Sequence, residues 1–398
     1  MSYRRDYRGP LQDVGSQYDI TKSSDNDHIY YSLTINNSSD DFALATFTDN
    51  RNDYILQNPQ AFHFSVIQFT IDGMGIPIFI WPIVAGTTNV PDNTFFTVSL
   101  SLLGNAPRTA PLIYTNFSSL PNTPDNLPWI FSYQHMVDII NAAYITAYNA
   151  LVVQVTAPVL AALGITMAPY MTYSTITGQF TMNFQAGYAF DPTVPSTTVR
   201  VFMNGRLYGF FDNFETLFNG YTAGGNDNPL AFQFIVKNDG NNRIILDYPG
   251  SVTMSTDPGW AMRQETNTLS LWNDAASIVF TSGLIPVNQE LLTPANVGWG
   301  QAPVSTNQFK NILIEFDIFA DDTVSNPTRS IIQYIPTGEY RLVDLKTNTP
   351  IRALDIQVFW KSRDQTYYPL AVPPHSSFQM KMMFRKKENC KEGGLGYK

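Results

Sequence analysis

The chain has 398 residues, of which 57 are Lys, Arg, Asp or Glu and 54 are aromatic, and its formal net charge is −9. Charged residues make up 14% against roughly 25% in ordinary globular domains, and 44% of the residues are apolar. This composition excludes a disordered or fibrous chain and indicates that partners cover much of the surface. Cys390 is the single cysteine, which excludes an intrachain disulfide framework.

Charge is unevenly distributed along the chain. Residues 1–22 hold four basic and three acidic side chains, residues 381–398 hold six basic and two acidic ones, and the segment between them carries a net −14. An acidic body with a basic tail argues against a broad nucleic-acid-binding face, although the tail could contact nucleic acid or an acidic partner surface. The first residues contain no apolar stretch of signal-peptide length, so no signal peptide is expected.

The first third of the chain reads as an arm followed by strands. Residues 1–28 are polar with scattered aromatic side chains, which is typical of an extended arm. Residues 29–35 and 94–102 alternate between the two faces of a strand, and 62–71 form a long β-rich run. Two prolines within 76–84 predict an edge strand or an extended loop there.

The apolar period changes to that of a helix after Ser132. Seven residues recur at helical spacing: Met136, Ile139, Ile140, Ala143, Tyr144, Ala147 and Leu151. Residues 158–163 predict a short second helix that stops at Gly164. No charged residue lies within 139–190, and 139–164 is long enough to cross a bilayer. Because polar residues and a proline interrupt that stretch, we expect a helix buried in protein.

Short β-rich runs separated by turn residues follow the helix. Turn signals at Thr177-Gly178, Asn204-Gly205, 238–241 and Thr337-Gly338 predict four hairpins. They would join 170–173 to 180–184, 199–202 to 207–211, 232–236 to 244–246, and 330–335 to 339–345. Further strands are predicted at 277–282, 312–319, 354–360 and 378–384. Many short strands at this spacing predict a β-sandwich or barrel.

Residues suited to catalysis are few. The four histidines, His28, His63, His135 and His375, show no metal-binding spacing, and Asp40-Asp41 and Asp321-Asp322 are expected in solvated turns. We therefore expect no enzymatic activity and no cofactor or metal. A glycosidase is one alternative, with candidate carboxylates Glu215, Glu265 and Glu290. A glycan-binding or host-recognition spike module is another, because exposed aromatic side chains on β-loops can stack on sugars.

The chain resembles the minor capsid (penton) proteins of virophages and polinton-like viruses. The resemblance depends on the order of landmarks across residues 45–387. Those in the first half are Asp49-Asn50-Arg51, Asn58-Pro59, residues 64–72, residues 76–80, Phe131-Ser132-Tyr133-Gln134-His135, residues 169–173 and Gly178. Those in the second half are residues 203–208, Trp272-Asn273, residues 277–282, residues 286–290, Gly338-Glu339-Tyr340-Arg341, Trp360-Lys361 and residues 381–386.

The resemblance implies a mainly-β protein: a single jelly-roll β-sandwich with an inserted β-rich domain that carries one long helix. A double jelly roll would leave little room for the helix and loops in 398 residues. The expected organisation is an N-terminal arm (1–28), a first jelly-roll part (29–115), an inserted outer domain (116–264), a second jelly-roll part (265–387) and a C-terminal tail (388–398).

The resemblance also implies the assembly. Five copies would close a vertex of an icosahedral shell beside trimeric double-jelly-roll major capsid proteins, in a virion assembled inside the host cell. A trimeric major capsid protein is the alternative within the same class. We expect no stable membrane insertion and a weak contact with the shell interior or the packaged genome through six basic residues: Arg4, Arg5, Arg8, Arg385, Lys386 and Lys387.

Overall fold

The computed structural model describes residues 28–87, 89–116, 127–193, 198–221, 228–237, 242–245, 259–272, 274–288, 290–292, 308–318, 331–334, 342–363 and 365–387. The first part of the chain contains β1 (His28–Asn36), β2 (Ala43–Leu44), β3 (Thr46–Asn50) and β4 (Phe62–Asp72). Single 3-10 turns lie at Pro59–Ala61, Gly73–Gly75 and Ala186–Tyr188.

The middle and last parts of the chain supply the other elements. The middle part contains β5 (Phe79–Ile80), β6 (Thr97–Leu102), β7 (Arg108–Pro111), β8 (Trp129–Ile130), α1 (Tyr133–Val155), α2 (Ala157–Ala162), β9 (Tyr170–Ser174), β10 (Gln179–Gln185), β11 (Val199–Met203), α3 (Gly205–Tyr208), β12 (Thr216–Phe218), β13 (Phe232–Phe234), β14 (Asn242–Ile245), β15 (Gly259–Arg263) and α4 (Leu269–Trp272). The last part contains β16 (Ala275–Thr281), β17 (Glu290–Leu292), β18 (Gln308–Lys310), β19 (Ile312–Asp317), β20 (Ile331–Tyr334), β21 (Val343–Asp344), β22 (Ala353–Ser362), β23 (Tyr367–Pro369), β24 (Ala371–Val372) and β25 (Ser377–Lys386).

The first and last parts together form a jelly roll of two antiparallel sheets. One sheet has the order β1-β25-β4-β20, with β21 also paired to β4, and the other has the order β19-β16-β22-β23, with β3 also paired to β22. Each sheet therefore interleaves strands from both ends of the chain, which is the Greek-key connectivity of a jelly roll. The predicted mainly-β fold class, a jelly roll with an insertion and one long helix, is confirmed.

The inner faces of the two sheets enclose the first hydrophobic core. Strand β4 contributes Phe69, whose ring centroid lies 5.2 Å from that of Phe280 in β16 and 5.0 Å from that of Phe316 in β19. In β1 the predicted alternation is observed: Tyr31 and Leu33 are buried, whereas Tyr30, Ser32 and Thr34 are exposed. The period-two pattern therefore identified the core face of this sheet correctly.

The connection between β4 and β16 folds around a second hydrophobic core. Its sheets have the orders β12-β13-β11-β6-β7 and β14-β15-β10-β9, and α1 packs against β6, β7 and β9. Trp272 lies in the core, with its ring centroid 4.8 Å from that of Phe210 and 5.3 Å from that of Phe180. The largest fully buried side chains of the described residues are all aromatic. Many of the aromatic side chains are therefore buried in the two cores of the chain itself. The composition alone had suggested that partners cover them.

The long helix begins where the sequence predicts. The Ser132 hydroxyl accepts a hydrogen bond from the His135 backbone N–H at 3.1 Å and caps the first turn of α1. The second helix, α2, is followed by Gly164, which has a φ of +74° that a glycine adopts without strain. The predicted hairpin at Thr177-Gly178 is also confirmed, because β9 and β10 pair directly across it.

The predicted hairpin at Asn204-Gly205 is wrong. The Asn204 side-chain oxygen accepts a hydrogen bond from the Leu207 backbone N–H at 3.1 Å, so the residue caps the short helix α3. The Asn204 amide nitrogen also donates to the Phe95 carbonyl at 2.9 Å. Strand β11 pairs instead with β6 and β13. Asparagine stabilises both turns and helix starts, and here the second role prevails.

The predicted hairpin at 238–241 is also wrong in its pairing. Strand β13 pairs with β11 and β12, whereas β14 pairs with β15. Strands β20 and β21 both pair with β4, and the predicted turn at Thr337-Gly338 lies outside the described residues. Long-range partners replace the local ones because a hydrophobic face must be buried against the sheet that covers it.

The chain passes from one core to the other at two points. Buried residues of the first core end at Ile76 and resume at Ala275, and those of the second core run from Ile78 to Trp272. The predicted first jelly-roll part extended to residue 115, but β6 and β7 pair within a sheet of the second core. We call the segment from Ile78 to Trp272, which folds around the second core, the inserted unit.

Candidate interaction surfaces

The basic residues predicted at the C-terminal end lie at the end of β25 and directly after it. Arg385 is opposite His28 of β1 and His63 of β4, and Lys386 is opposite Phe62. The Lys387 ammonium lies 2.8 Å from an Asp344 carboxylate oxygen in β21, and this hydrogen bond lowers the pKa of Asp344. These three basic residues are therefore held on the jelly-roll sheet. Arg4, Arg5 and Arg8 lie outside the described residues, as do Cys390 and the tail 388–398.

The histidines do not form a cluster, and three of them make polar contacts with nearby groups. His135 is buried in α1, its Nε2 donates to the Thr115 carbonyl at 2.8 Å, and burial lowers its pKa. His63 Nδ1 lies 3.1 Å from Asp344, and His375 Nε2 lies 3.0 Å from Asp40 in the bend after β1. Asp321-Asp322 lies outside the described part of the chain. Among the described residues, no group of three or more His, Cys, Asp and Glu side chains could hold a metal ion.

The carboxylates of the glycosidase alternative lie on different elements. Glu215 precedes β12 and forms an ion pair with Lys237 at 2.9 Å. Glu265 follows β15, in the other sheet of the inserted unit, where its backbone carbonyl accepts a hydrogen bond from Gln179 at 3.3 Å. Glu290 is in β17, and its side chain is outside the described residues. The ion pair with Lys237 engages the Glu215 carboxylate in a contact between neighbouring segments of the inserted unit.

A carboxylate clamp, which the sequence did not reveal, closes the turn after β16. Asp355 of β22 accepts hydrogen bonds from the Ser282 hydroxyl at 2.5 Å and from the Gly283 and Leu284 backbone N–H groups at 2.8 Å each. The Ser282 hydroxyl oxygen in turn accepts from the Ile285 N–H at 2.8 Å. One carboxylate thus satisfies three donors of the turn and fixes the exit of β16.

A second polar cluster joins three strands of the same sheet. Glu315 of β19 accepts hydrogen bonds from the Ser277 hydroxyl of β16 at 2.6 Å and from the Lys361 ammonium of β22 at 2.8 Å. Both charged side chains are mostly buried. Because a buried charge is costly without a partner, this pair links the three strands in one register. The sequence offered no sign of it, since the three residues are far apart in the chain.

A third cluster connects the two jelly-roll sheets. The Tyr31 hydroxyl of β1 donates a hydrogen bond to the Asp49 carboxylate of β3, and Arg51 Nε lies 2.8 Å from the same carboxylate. The hydrogen bonds from Tyr31 and Arg51 lower the pKa of Asp49. Burial, with the hydrogen bond to Asp49, raises the pKa of Tyr31. Asp49 and Arg51 belong to one of the landmarks that carry the family resemblance.

Helix α1 presents an uncharged surface to solvent. By length and composition it is long and apolar enough to cross a membrane, but one face lies in the second core, as the sequence predicted. The opposite face is exposed. We call it the uncharged helix face, and its main residues are Ala142, Ile145, Asn149, Ala150, Val153 and Val159 of α2. No charged residue lies between 139 and 190, and the exposed Asp138, one turn before Ala142, is the charge that α1 itself carries on this side.

A second apolar surface lies at the edge strand β12. Phe218 and Tyr221 are exposed, with ring centroids 5.4 Å apart, and Leu217 is exposed beside them. We call these three residues the aromatic edge. The Phe218 ring is supported from behind by Phe232 of β13 at 5.0 Å, and Phe232 stacks on Tyr208 at 4.0 Å. A stack of rings thus continues from the core to the surface.

The jelly-roll topology with an inserted second core places the chain among the double-sheet jelly-roll proteins, a class that includes viral capsid proteins. Comparison with known families assigns the chain within that class. It belongs to the family of the Sputnik minor capsid protein V18/19, whose family model matches residues 29–386. That match includes all of the jelly roll except His28, together with the whole inserted unit.

Individual relatives agree with this assignment. The chain is 30% identical over 224 residues to Structural protein V19 of Sputnik virophage, covering 55% of this chain and 94% of that relative. It aligns with a chain of the 3.5 Å cryo-EM structure of Sputnik virophage at a TM-score of 0.70 and 26% identity, covering 92% of this chain and 99% of that one. The mavirus penton protein, in its SeMet-labelled crystal structure, shares the fold at a TM-score of 0.57 and 14% identity, covering 90% and 99% of the two chains.

The chain is thus a structural minor capsid protein, and its location is the virion capsid. Its family is one of structural proteins, and neither the spike-module nor the major-capsid alternative is favoured. The predicted family and the predicted capsid function are therefore confirmed.

Proposed function

We propose that this minor capsid protein forms the homopentameric vertices, or pentons, of an icosahedral shell. The observation that carries the proposal is one complete jelly roll with a separate insertion between β4 and β16, in a chain that its family model matches nearly from end to end. The fold shared with the mavirus penton protein supports it. A cyclic ring uses two different patches on each subunit, and the rotation between neighbours closes it.

The symmetry of the purified full chain tests the proposal. Mass photometry should show one species with five times the mass of the chain, and negative-stain images should show five-fold rings. A three-fold ring would favour the trimeric major capsid protein instead. A chain that stays monomeric at micromolar concentration and also when mixed with its shell partners would overturn the proposal.

We propose trimeric major capsid proteins as the neighbours of this ring in the shell. A minor capsid protein at a vertex must contact the proteins that form the surrounding facets. Co-expression with the major capsid protein of the same virus should yield closed particles, and omission of this chain should yield particles that lack vertices. Particles with unchanged vertices in its absence would contradict this role.

We propose an arm for residues 1–28 and a jelly roll formed by residues 29–76 and 275–387, around an inserted unit of 77–274. The cores that change at Ile76 and Ala275 support these boundaries. Deleting residues 1–28 should leave the jelly roll folded and should reduce particle assembly, because extended arms order when they dock on neighbours. Normal pentamers and particles from the deletion variant would remove this role for the arm.

We propose a weak contact between the basic terminal residues and the genome or the shell interior. The basic residues at the end of β25 support it, together with Arg4, Arg5 and Arg8. Replacing Arg385, Lys386 and Lys387 by glutamine should lower the affinity for double-stranded DNA and flatten its salt dependence. The charge-matched control replaces the exposed Arg263, Lys346 and Arg363. Equal effects of both triple variants would show that net charge, and no particular site, governs binding.

We propose that the chain is not an enzyme and does not insert stably into membranes. The ion pair that engages Glu215 and the core-facing side of α1 support the two statements. Replacing Glu215, Glu265 and Glu290 by glutamine should change no activity toward oligosaccharides, and the assembled protein should remain free in a vesicle flotation experiment. Hydrolysis that disappears in the triple variant, or flotation with the vesicles, would overturn the corresponding statement.

A further inference from the structure

The chain contains two asparagine-glycine pairs, Asn204-Gly205 and Asn219-Gly220. An asparagine side chain can lose its amide group when the backbone nitrogen of the next residue attacks it. Glycine favours this attack, because it has no Cβ to hinder the approach and adopts more backbone conformations than any other residue. The two pairs differ in their surroundings, so the structure predicts which of them reacts.

The first pair is protected by its role in the fold. Asn204 is buried, with 3% of its surface exposed. Its side-chain oxygen accepts a hydrogen bond from the Leu207 N–H at 3.1 Å, and its side-chain nitrogen donates to the Phe95 carbonyl at 2.9 Å. Both ends of the amide are therefore held in place, and its carbon cannot turn toward the Gly205 nitrogen without breaking the cap of α3.

The second pair is exposed at the end of β12. Asn219 directly follows the strand and is exposed, and its side-chain nitrogen donates to the Leu230 carbonyl at 3.1 Å. Gly220 has a φ of +80°, and no atom beyond its two chain neighbours lies within 4 Å of the position that a Cβ would take. Among the described residues, none accepts a hydrogen bond from the Gly220 N–H. The attacking nitrogen is thus unengaged, and the side chain that it would attack is open to water.

We infer that Asn219 is a site of spontaneous deamidation, a covalent modification that goes beyond the proposed capsid function. The Gly220 nitrogen gives up its proton and forms a bond to the Asn219 side-chain carbon Cγ, which closes a cyclic imide. The Cγ–Nδ2 bond breaks, and the amide group leaves with that proton as ammonia. Water then opens the imide at either of its two carbonyls, which leaves an aspartate or an isoaspartate at this position. The reaction needs no enzyme, no cofactor and no change of oxidation state.

The modification would act on the neck of the loop that follows β12. The Asn219 backbone N–H donates to the Ala231 carbonyl at 2.7 Å, beside its side-chain bond to Leu230. Across the neck, Asn228 Nδ2 donates to the Gly220 carbonyl at 3.1 Å. An ionised aspartate only accepts hydrogen bonds, so it would face the Leu230 carbonyl without a donor between them. An isoaspartate would also add a carbon atom to the backbone. Either product should loosen the neck and place a negative charge beside the aromatic edge.

Peptide mass spectrometry of the folded full chain tests the site. Trypsin cleaves after Arg200, Arg206 and Lys237, which places Asn204 and Asn219 in different peptides. During incubation at pH 8, the peptide with Asn219 should gain the mass difference between an amide and an acid, as two products that separate in chromatography. The reaction should be slower at pH 6, since the attacking nitrogen must lose its proton. The peptide with Asn204 is the internal control and should stay unchanged.

Unfolding the chain separates the effect of structure from that of sequence. In denaturant both pairs lose their surroundings, so both peptides should convert at similar rates. An Asn219 that stays unchanged in the folded chain while it converts in the denatured chain would overturn the inference. Equal conversion of Asn204 and Asn219 in the folded chain would also overturn it, because the structure would then select neither pair.

Two variants test the chemistry of the reaction. Gly220→Ala places a methyl group beside the attacking nitrogen, and Asn219→Gln keeps the amide donor but requires a larger ring that closes much more slowly. Each variant should abolish the conversion in its peptide. Thermal unfolding checks that the turn tolerates alanine, and Asn219→Gln retains the native glycine if it does not. Conversion of the same peptide in both variants would show that another asparagine reacts.

The product itself tests the effect on the neck. Asn219→Asp should speed hydrogen exchange of the backbone amide at position 219 by about tenfold, because a carbonyl partner loses its donor. Asn149→Asp, on the exposed face of α1, adds the same charge away from the neck and is the matched control. It should leave the exchange at position 219 unchanged. Equally slow exchange in Asn219→Asp and the wild type would overturn the effect on the neck.

Discussion

The side-chain amide of Asn141 in α1 makes two hydrogen bonds to the backbone of Met171 in β9. Its oxygen accepts from the Met171 N–H at 2.7 Å, and its nitrogen donates to the Met171 carbonyl at 3.0 Å. In the described sheet β9 is an edge strand that pairs with β10 alone. The helix therefore supplies the partners that a further strand would have supplied, and it holds the sheet edge against the second core.

Replacing Asn141 by leucine should destabilise the protein. The leucine side chain has a similar size but leaves the backbone N–H and carbonyl of the buried residue Met171 without these partners. We expect a loss of about 1–3 kcal/mol in the free energy of unfolding, measured by chemical denaturation of the full chain. Asn149→Leu, on the exposed face of the same helix, is the control and should change stability little. Equal stabilities of the two variants would show that the Met171 contact contributes nothing.

The carboxylate clamp at the end of β16 gives a second prediction. Asp355→Ala removes the acceptor of three hydrogen bonds, two of them from backbone N–H groups. Hydrogen bonds to a charged acceptor are among the stronger ones, so we expect a loss of about 2–3 kcal/mol in the free energy of unfolding. Asp53→Ala, in an exposed turn, is the matched control. A clamp variant as stable as this control would mean that water replaces the carboxylate without cost.

The sequence predicts elements well where a single face is buried over several residues. Strand β1 and helix α1 follow their apolar periods, β4 coincides with the predicted β-rich run, and Ser132 and Gly164 mark helix boundaries by local chemistry. These features depend on neighbours in sequence, so one chain is enough to find them. The jelly-roll class was reached through the order of family landmarks, because no local pattern states which strands pair.

The pairing of strands and the polar clusters could not be read from the sequence. Strand β11 pairs with β6, about one hundred residues earlier in the chain, and this choice depends on the packing of the whole inserted unit. Ser282 and Asp355 come together only because β16 and β22 are neighbours in one sheet. Asn141 appeared in the sequence merely as a polar interruption of an apolar stretch, and its role depends on the position of β9.

The buried histidine gives a prediction for pH dependence. Burial lowers the pKa of His135, so the folded protein favours the neutral ring, which donates to the Thr115 carbonyl. The unfolded chain has an ordinary histidine pKa of about 6.5 and binds more protons below that pH. The stabilising contribution is therefore complete above about pH 6.5 and is lost as the pH falls from there toward the folded-state pKa.

His135→Gln should flatten the pH dependence of stability. The glutamine amide can still donate to the Thr115 carbonyl, but it does not titrate. Between pH 7 and pH 5, the free energy of unfolding should fall less steeply for this variant than for the wild type, whatever its absolute value. Asn149→Gln, on the exposed face of the same helix, changes no titratable group and is the control that should keep the wild-type slope. Parallel curves for His135→Gln and the wild type would exclude this histidine as a source of acid sensitivity.

The point where the chain leaves the jelly roll for the inserted unit gives the last prediction. Gly75 is packed so closely against β24 that a Cβ atom would lie 1.9 Å from the Ala371 carbonyl oxygen. Gly75→Ala must therefore displace backbone, and we expect a loss of about 1–3 kcal/mol in the free energy of unfolding. In Gly209→Ala the nearest atoms would lie 3.6 Å away and φ is −56°, so this control should be neutral or slightly stabilising. Chemical denaturation of both variants measures the difference, and equal stabilities would show that β24 can move aside freely at this junction.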